Sequence, residues 1–198
     1  MFEPRVVKLK DNKEALIRAM KREDLEGSFA FFRALPEEHR FSLRRDMTIR
    51  EVIEERIREM EEGAVERLVA VADDTIVADG ALEFSHFGWE RHVAELRLVV
   101  ATPYQRKGLG MLMAGALYDL AAPAGIEEIV VKMMASQTGA LRIFHKLGFH
   151  KEVVLRDYVK DMQGNRKDLV LMRCRLEDLW QKYEDFVREN DMRSLEME

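Results

Sequence analysis

The stretch from Val93 to Ala121 constrains this chain more than any other. An apolar-rich run, Val93 to Ala101, is halted by Pro103 and a glycine-containing turn, Gln105-Arg106-Lys107-Gly108-Leu109-Gly110. A second run, Leu109 to Ala121, is rich in small residues and is closed by Pro123 and Gly125. The first run reads as a strand and the second as a helix. A strand that ends, turns on glycine and starts a helix gathers unpaired backbone N–H groups at one point, and the helix dipole there favours an anion. Gly108 and Gly110 remove the Cβ atoms that would hold a bulky diphosphate away, and Arg106 and Lys107 add positive charge. The spacing is neither that of a Walker loop nor that of the three-glycine dinucleotide fingerprint. Alone, the segment fits an ordinary strand-to-helix turn equally well.

The flanking sequence supplies a fold. Ala15 to Met20 reads as a short strand. Leu25, Phe29 and Phe32 recur at helical spacing, with Pro36 as a stop. A second helix covers about Thr48 to Glu62, with Ile53, Ile57 and Met60 as its apolar stripe, Gly63 as a cap and its Glu and Arg residues as a solvated face. Leu68 to Ala72, a turn at Asp73-Asp74, and Ile76 to Phe84 read as an antiparallel hairpin. Beyond the central segment come a strand, Glu128 to Met134, a helix, Gly139 to Leu147, and two strands around Lys151 to Lys160 and Leu169 to Leu176, joined by a turn at Gln163-Gly164-Asn165. Glu177 to Asn190 reads as a terminal amphipathic helix with Leu179, Tyr183, Phe186 and Val187 on one side. That order gives an α/β (α+β) fold: a mixed sheet with helices on both faces.

Composition narrows the function classes. The chain has 198 residues, without repeats or a Gly/Ser-rich linker, so one domain over 1–198 is expected. A 47% hydrophobic fraction can supply a core, while no apolar run is long enough to span a bilayer and the first residues show no signal-peptide core. A formal charge of −5 and a pI near 5.7 disfavour nucleic acid as a partner. The lone Cys174 cannot form an internal disulfide, which suits a reducing cytoplasm. His86 and His92 have no convincing metal spacing with a cysteine, so no metal is expected. Phe87 and Trp89 are expected to pack; bordering a ligand site is the other reading.

The segment Gln105 to Gly110 after its strand resembles the acetyl-CoA loop of the GNAT (Gcn5-related N-acetyltransferase) superfamily. Gln137-Thr138-Gly139-Ala140-Leu141-Arg142-Ile143-Phe144-His145-Lys146-Leu147-Gly148-Phe149 is similar to that superfamily's second signature, with Gln137, Ala140 and Phe144 standing where the family pattern has Asn, Ala and Tyr. The stretch around Phe32-Arg33-Ala34-Leu35-Pro36 faintly resembles the catalytic domain of bacterial protein-lysine acetyltransferases. The resemblance covers about residues 14 to 176. It implies a mostly antiparallel central sheet of about seven strands with helices on both faces. It also implies acetyl-CoA as co-substrate and a primary amine, small or protein-borne, as acceptor, attacked directly in a ternary complex. Val99 and Val100 would pair their backbone with the pantetheine arm, and the amides of Arg106, Lys107, Gly108, Leu109, Gly110 and Met111 would hold the pyrophosphate, with Gln105 also binding the cofactor. Gln137, Ala140 and Phe144 would flank the pantetheine and the sulfur.

Acyl transfer to an amine requires the neutral amine, and a lysine-like amine has a pKa of about 10.4. Glu95 is the expected base. Period-two alternation places Glu95, Arg97 and Val99 on one face of their strand, with Glu95 about 13 Å from Val99. Glu95 could instead serve only as an ion-pair partner of Arg97. Phe144 cannot protonate a leaving thiolate, and His145, about 100° further round its helix, is expected at the surface. That vacancy keeps a second class open, a non-catalytic acyl-CoA-binding regulatory module. An exposed apolar stripe on the terminal helix would make a homodimer plausible.

Overall fold

The computed structural model of the protein describes residues 2–85 and 87–195. Its strands are β1 (Arg5–Lys8), β2 (Glu14–Ala19), β3 (Val65–Ala72), β4 (Thr75–Phe84), β5 (Val93–Val100), β6 (Glu128–Met134), β7 (His150–Lys160) and β8 (Arg166–Arg175). Its helices are α1 (Leu25–Ala34), α2 (Glu37–Phe41), α3 (Arg50–Glu61), α4 (Leu109–Ala121), α5 (Thr138–Lys146) and α6 (Leu176–Leu195). The eight strands form one sheet in the order β1-β2-β3-β4-β5-β6-β8-β7. Every neighbour pair is antiparallel except β5 with β6.

The extra strand beyond the expected number is β1. It is four residues long and carries charge at both ends, so it is too short to show a period. It forms by pairing with β2 in a hairpin. The turn between β3 and β4 follows the Asp73-Asp74 reading, with φ of 49° and 57°, the left-handed backbone that a two-residue hairpin demands and that Asp tolerates.

The sheet separates two unlike layers. On one face Leu68 and Ala70 of β3, Leu82 of β4 and Leu96 of β5 bury against Met113 and Leu117 of α4. Each such fully buried aliphatic side chain contributes about 1.5–3 kcal/mol relative to exposure. α6 then lies along α4. Trp180 stacks on Tyr118 with ring centroids 4.6 Å apart, and a Cβ on Gly115 would stand 2.4 Å from the Tyr183 ring. The apolar stripe of the terminal helix thus packs on α4 within the chain, with Leu179 buried and Tyr183, Phe186 and Val187 half-buried. On the other face lie smaller clusters, with Phe31, Phe32 and Leu35 of α1 and its C-cap beside Ile53 of α3, and Ile57 of α3 against Val69 of β3.

Candidate active site

The parallel pair β5–β6 positions the site. The two strands stay in register only at Val93, Ala94 and Glu95 against Glu128, Ile129 and Val130, and then diverge. Leu96 to Val100 remain bonded to β4 on one side only. The gap is a cleft of about 130 Å³ whose walls include Leu98, Val99, Val131, Met133, Gln137, Ala140 and Phe144. Val99, Gln137, Ala140 and Phe144 thus come together as expected. Phe144 is buried and meets Phe149 edge-on at 5.2 Å. The Gln137 side chain is engaged locally, its Oε1 accepting the Met134 amide at 2.8 Å.

The glycine turn sits at the head of α4. Gly108 has φ +89° and a Cβ there would stand 2.7 Å from Phe186 of α6, so this glycine has an internal reason. Gly110 has none: its nearest neighbour would be Leu98 Cδ2 at 4.0 Å, and the space where a Cβ would project stays open. Among the described residues the amides of Arg106, Lys107, Gly108, Leu109 and Gly110 find no acceptor, whereas Met111 already donates to the Gly108 carbonyl at 3.0 Å. Met111 therefore drops out of the expected anion-binding set in this conformation. Gln105 does not point an amide at a ligand either; its Nε2 donates to the Val100 carbonyl at 2.9 Å. Lys107 is braced by Asp11 at 2.7 Å, and its carbonyl accepts from Lys10 N–H at 3.1 Å.

Glu95, Arg97 and Val99 share the face opposite α4, as alternation required, because the β4–β5 register runs without a bulge. Glu95 is ringed by cations: Lys132 Nζ lies 2.8 Å away, Arg97 Nε 3.7 Å away, and Arg44 makes a third ion pair. Burial pushes its carboxyl up, but Lys132 and Arg44 outweigh that and hold it below the usual carboxylate range. It is ionised at neutral pH, and the same cations make it a weaker proton acceptor than an ordinary carboxylate.

Several cleft residues escaped the sequence reading. The helix spacing suggested that the arginines of α3 are solvated, yet Arg56 is 3% exposed, 2.7 Å from Asp79 and over the Phe32 ring at 4.6 Å. Arg67 of β3 is likewise 3% exposed and Asp79 of β4 is 4% exposed. The available signal was a charge on the inward side of a largely apolar strand, which is costly unless paired or functional. Phe87 and Trp89 depart from expectation in the opposite sense: they are 85% and 91% exposed. His145 is exposed as expected, and His86 lies outside the described residues.

Comparison with known proteins agrees with this geometry. Residues 15–150 match the family model described as Acetyltransferase (GNAT) domain. A [ribosomal protein bS18]-alanine N-acetyltransferase from Salmonella typhimurium is 27% identical over 109 residues, covering 55% of this chain and 65% of that protein. The chain thus spans just under two thirds of that relative's length. Among solved structures, a ribosomal-protein-alanine N-acetyltransferase from Brucella melitensis superposes with a TM-score of 0.68 at 20% identity, over 79% of this chain and 97% of that one. A spermidine N-acetyltransferase from Vibrio cholerae in complex with CoA and spermine gives 0.70 at 16% identity, over 84% and 98%. At such identities these structures speak for the fold.

Proposed function

The chain belongs to the GNAT acetyltransferase family, and on that premise we propose that it is an acetyl-CoA-dependent N-acetyltransferase acting on a primary amine in a ternary complex. The observation that carries the reading is the run of free amides from Arg106 to Gly110 at the head of α4, beside the divergence of β5 and β6. The residues present fit a diphosphate: the amides converge at a positive helix end, and Gly110 leaves open the space that a side chain would fill. The Vibrio cholerae neighbour, a complex with CoA and spermine, supports the same choice. When bound, acetyl-CoA supplies the acyl group as an activated thioester. The edge of β5 beyond Glu95, which β6 leaves uncovered, offers backbone groups near Val99 and Val100 to an extended ligand arm, the Val100 carbonyl once the Gln105 side chain releases it. Phe144 and Ala140 exclude water from the wall opposite. Glu95 accepts the proton that the amine must lose, directly or through one water. We read residues 1–198 as a single domain working in the cytoplasm, since its one cysteine is a buried free thiol.

Phe144 favours one competing reading, a non-catalytic acyl-CoA-binding regulatory module, because no hydroxyl stands where a thiolate would be protonated. Release of free thiol from acetyl-CoA in the presence of an amine panel separates the two. For binding itself, acetyl-CoA at 100 times its Kd should stabilise the protein by about 2.7 kcal/mol. Gly110→Val should remain folded by circular dichroism and lose that stabilisation. No melting shift with wild-type protein overturns the assignment.

A further inference from the structure

The wall of the cleft opposite α4 is built from cations. Arg44, Arg45, Arg56, Arg67, Arg97 and Lys132 line it, with Asp79 as the carboxylate between them. Glu55, Glu59, Glu83 and Glu95 answer these cations from the rim, and the exposed Glu55 reaches Arg45 only at 3.4 Å. The deepest part is the least balanced. Arg56 and Arg67 are both buried, and Asp79 Oδ1 is taken by Arg56 at 2.7 Å. Arg67 reaches only Glu59, at 3.4 Å, and that same carboxylate is held more closely by Arg45 at 2.7 Å. Arg67 Nε has no hydrogen-bond partner among the described residues. A buried guanidinium whose counter-ion is a shared carboxylate at 3.4 Å is costly unless something brings a closer one. Desolvation, with repulsion from Arg56 next, lowers the Arg67 pKa to about 10, and Asp79 and Glu59 offset this only in part.

We infer that the acceptor is an amine carrying a carboxylate, with the amine at Glu95 and Val99 and the carboxylate on Arg67 and Arg97. The inference rests on the acetyltransferase reading above. The register supports the span: Arg67 opposes Ala81 on β4, and Ala81 opposes Arg97 on β5, so both guanidinium groups rise from one row across the sheet. Glu95 stands two residues along β5 from Arg97, about 7 Å away. Asp79 Oδ2, a second buried atom without a hydrogen-bond partner among the described residues, can accept one N–H from the same ligand. A polyamine would instead add positive charge beside Arg56, Arg67 and Arg97, against like-charge repulsion.

Three matched amines test this: 4-aminobutyrate, its neutral amide 4-aminobutanamide, and 1,4-diaminobutane. The carboxylate should be acetylated with kcat/KM about 10- to 100-fold above the amide, the size expected of a charge-assisted pair, and the diamine should be poorest. Arg67→Met should abolish the preference mainly through KM, with acetyl-CoA binding unchanged. Arg97→Gln, at a half-exposed position, is the second variant should Arg67→Met fold badly. A tripeptide with Asp or Asn at its second position separates a peptide side chain from a free small molecule as the source of the carboxylate. Equal or better transfer to the amide or the diamine overturns the inference and leaves the acetyltransferase reading standing. If nothing turns over, calorimetry of 4-aminobutyrate against the CoA-loaded protein decides: binding supports the inference, and its absence overturns it. Failure to bind CoA at all overturns the parent reading.

Discussion

The two faces of the sheet follow opposite rules. Along β5, Ala94, Leu96, Leu98 and Val100 look toward α4, and Glu95, Arg97 and Val99 look toward α1 and α3. The first face is closed by small residues and aromatic rings, with Trp180 and Tyr183 of α6 set against Tyr118 and Gly115 of α4. The second face carries charge into positions that should be apolar, and its helices pack in two separate small clusters. Tight apolar packing contributes stability but leaves no room for a ligand. The face that is poorly packed and electrostatically loaded is the one able to do chemistry, at a cost in stability the other face offsets.

The largest effect expected from breaking this contrast is catalytic. Glu95→Gln should lower turnover by about 10²–10⁴-fold while leaving acetyl-CoA affinity nearly unchanged, read by steady-state kinetics beside calorimetry. The lowered carboxyl pKa fixes the pH dependence. Its ion pairs are present above the ordinary carboxylate range and are lost only as pH falls through the depressed value. Between pH 6 and 9 Glu95 therefore stays ionised, and the rise of turnover with pH belongs to the amine alone, approaching tenfold per unit below the amine pKa of about 10. Normal turnover in Glu95→Gln would remove it from the mechanism.

Stability changes come next, and they should separate the faces. Arg56→Met strips Asp79 of its partner in a buried site and should cost about 3–5 kcal/mol. Leu117→Ala, in the apolar layer, should cost about 2–5 kcal/mol. Arg67→Met, by contrast, removes a charge whose ion pair is a carboxylate at 3.4 Å shared with Arg45 and relieves its repulsion with Arg56, so its cost should stay within about 1 kcal/mol. Urea denaturation measures all three. A severe loss in Arg67→Met would mean that this arginine holds the fold together and is not held in reserve for a ligand. The smallest effect is a silence. Burial, helped by Asp178 and Glu128, pushes the Cys174 thiol up to about 12, so an alkylating reagent at pH 8 should leave the native protein unlabelled and react only after denaturation.

Local patterns carried most of the architecture. The bounds of α4 and β6 could be read because proline, glycine and a change of period mark them, and the side of β5 that bears Glu95 followed from alternation alone. The glycine turn was legible as a place for an anion, but not the division of labour within it, since Phe186 of α6 and the β1–β2 turn arrive from both ends of the chain. The arginine wall was illegible for a related reason. Arg56, Arg67 and Asp79 lie on three different elements, and a charged residue on a helix is solvated so often that its burial cannot be guessed from its neighbours. What the sequence lacked was the third dimension of charge.

The bracing of the turn also has a history in time. Lys10 holds the Lys107 carbonyl and Phe186 fills the space over Gly108, so the turn is clamped by early and late parts of the chain together. At about 5–20 residues per second, the ribosome needs roughly 4–16 s to travel from Gly108 to Phe186. Throughout that interval β1 to β5 can already be made while the turn still lacks its aromatic cover. Until Phe186 has been made and α6 has docked, the turn lacks the aromatic cover over Gly108.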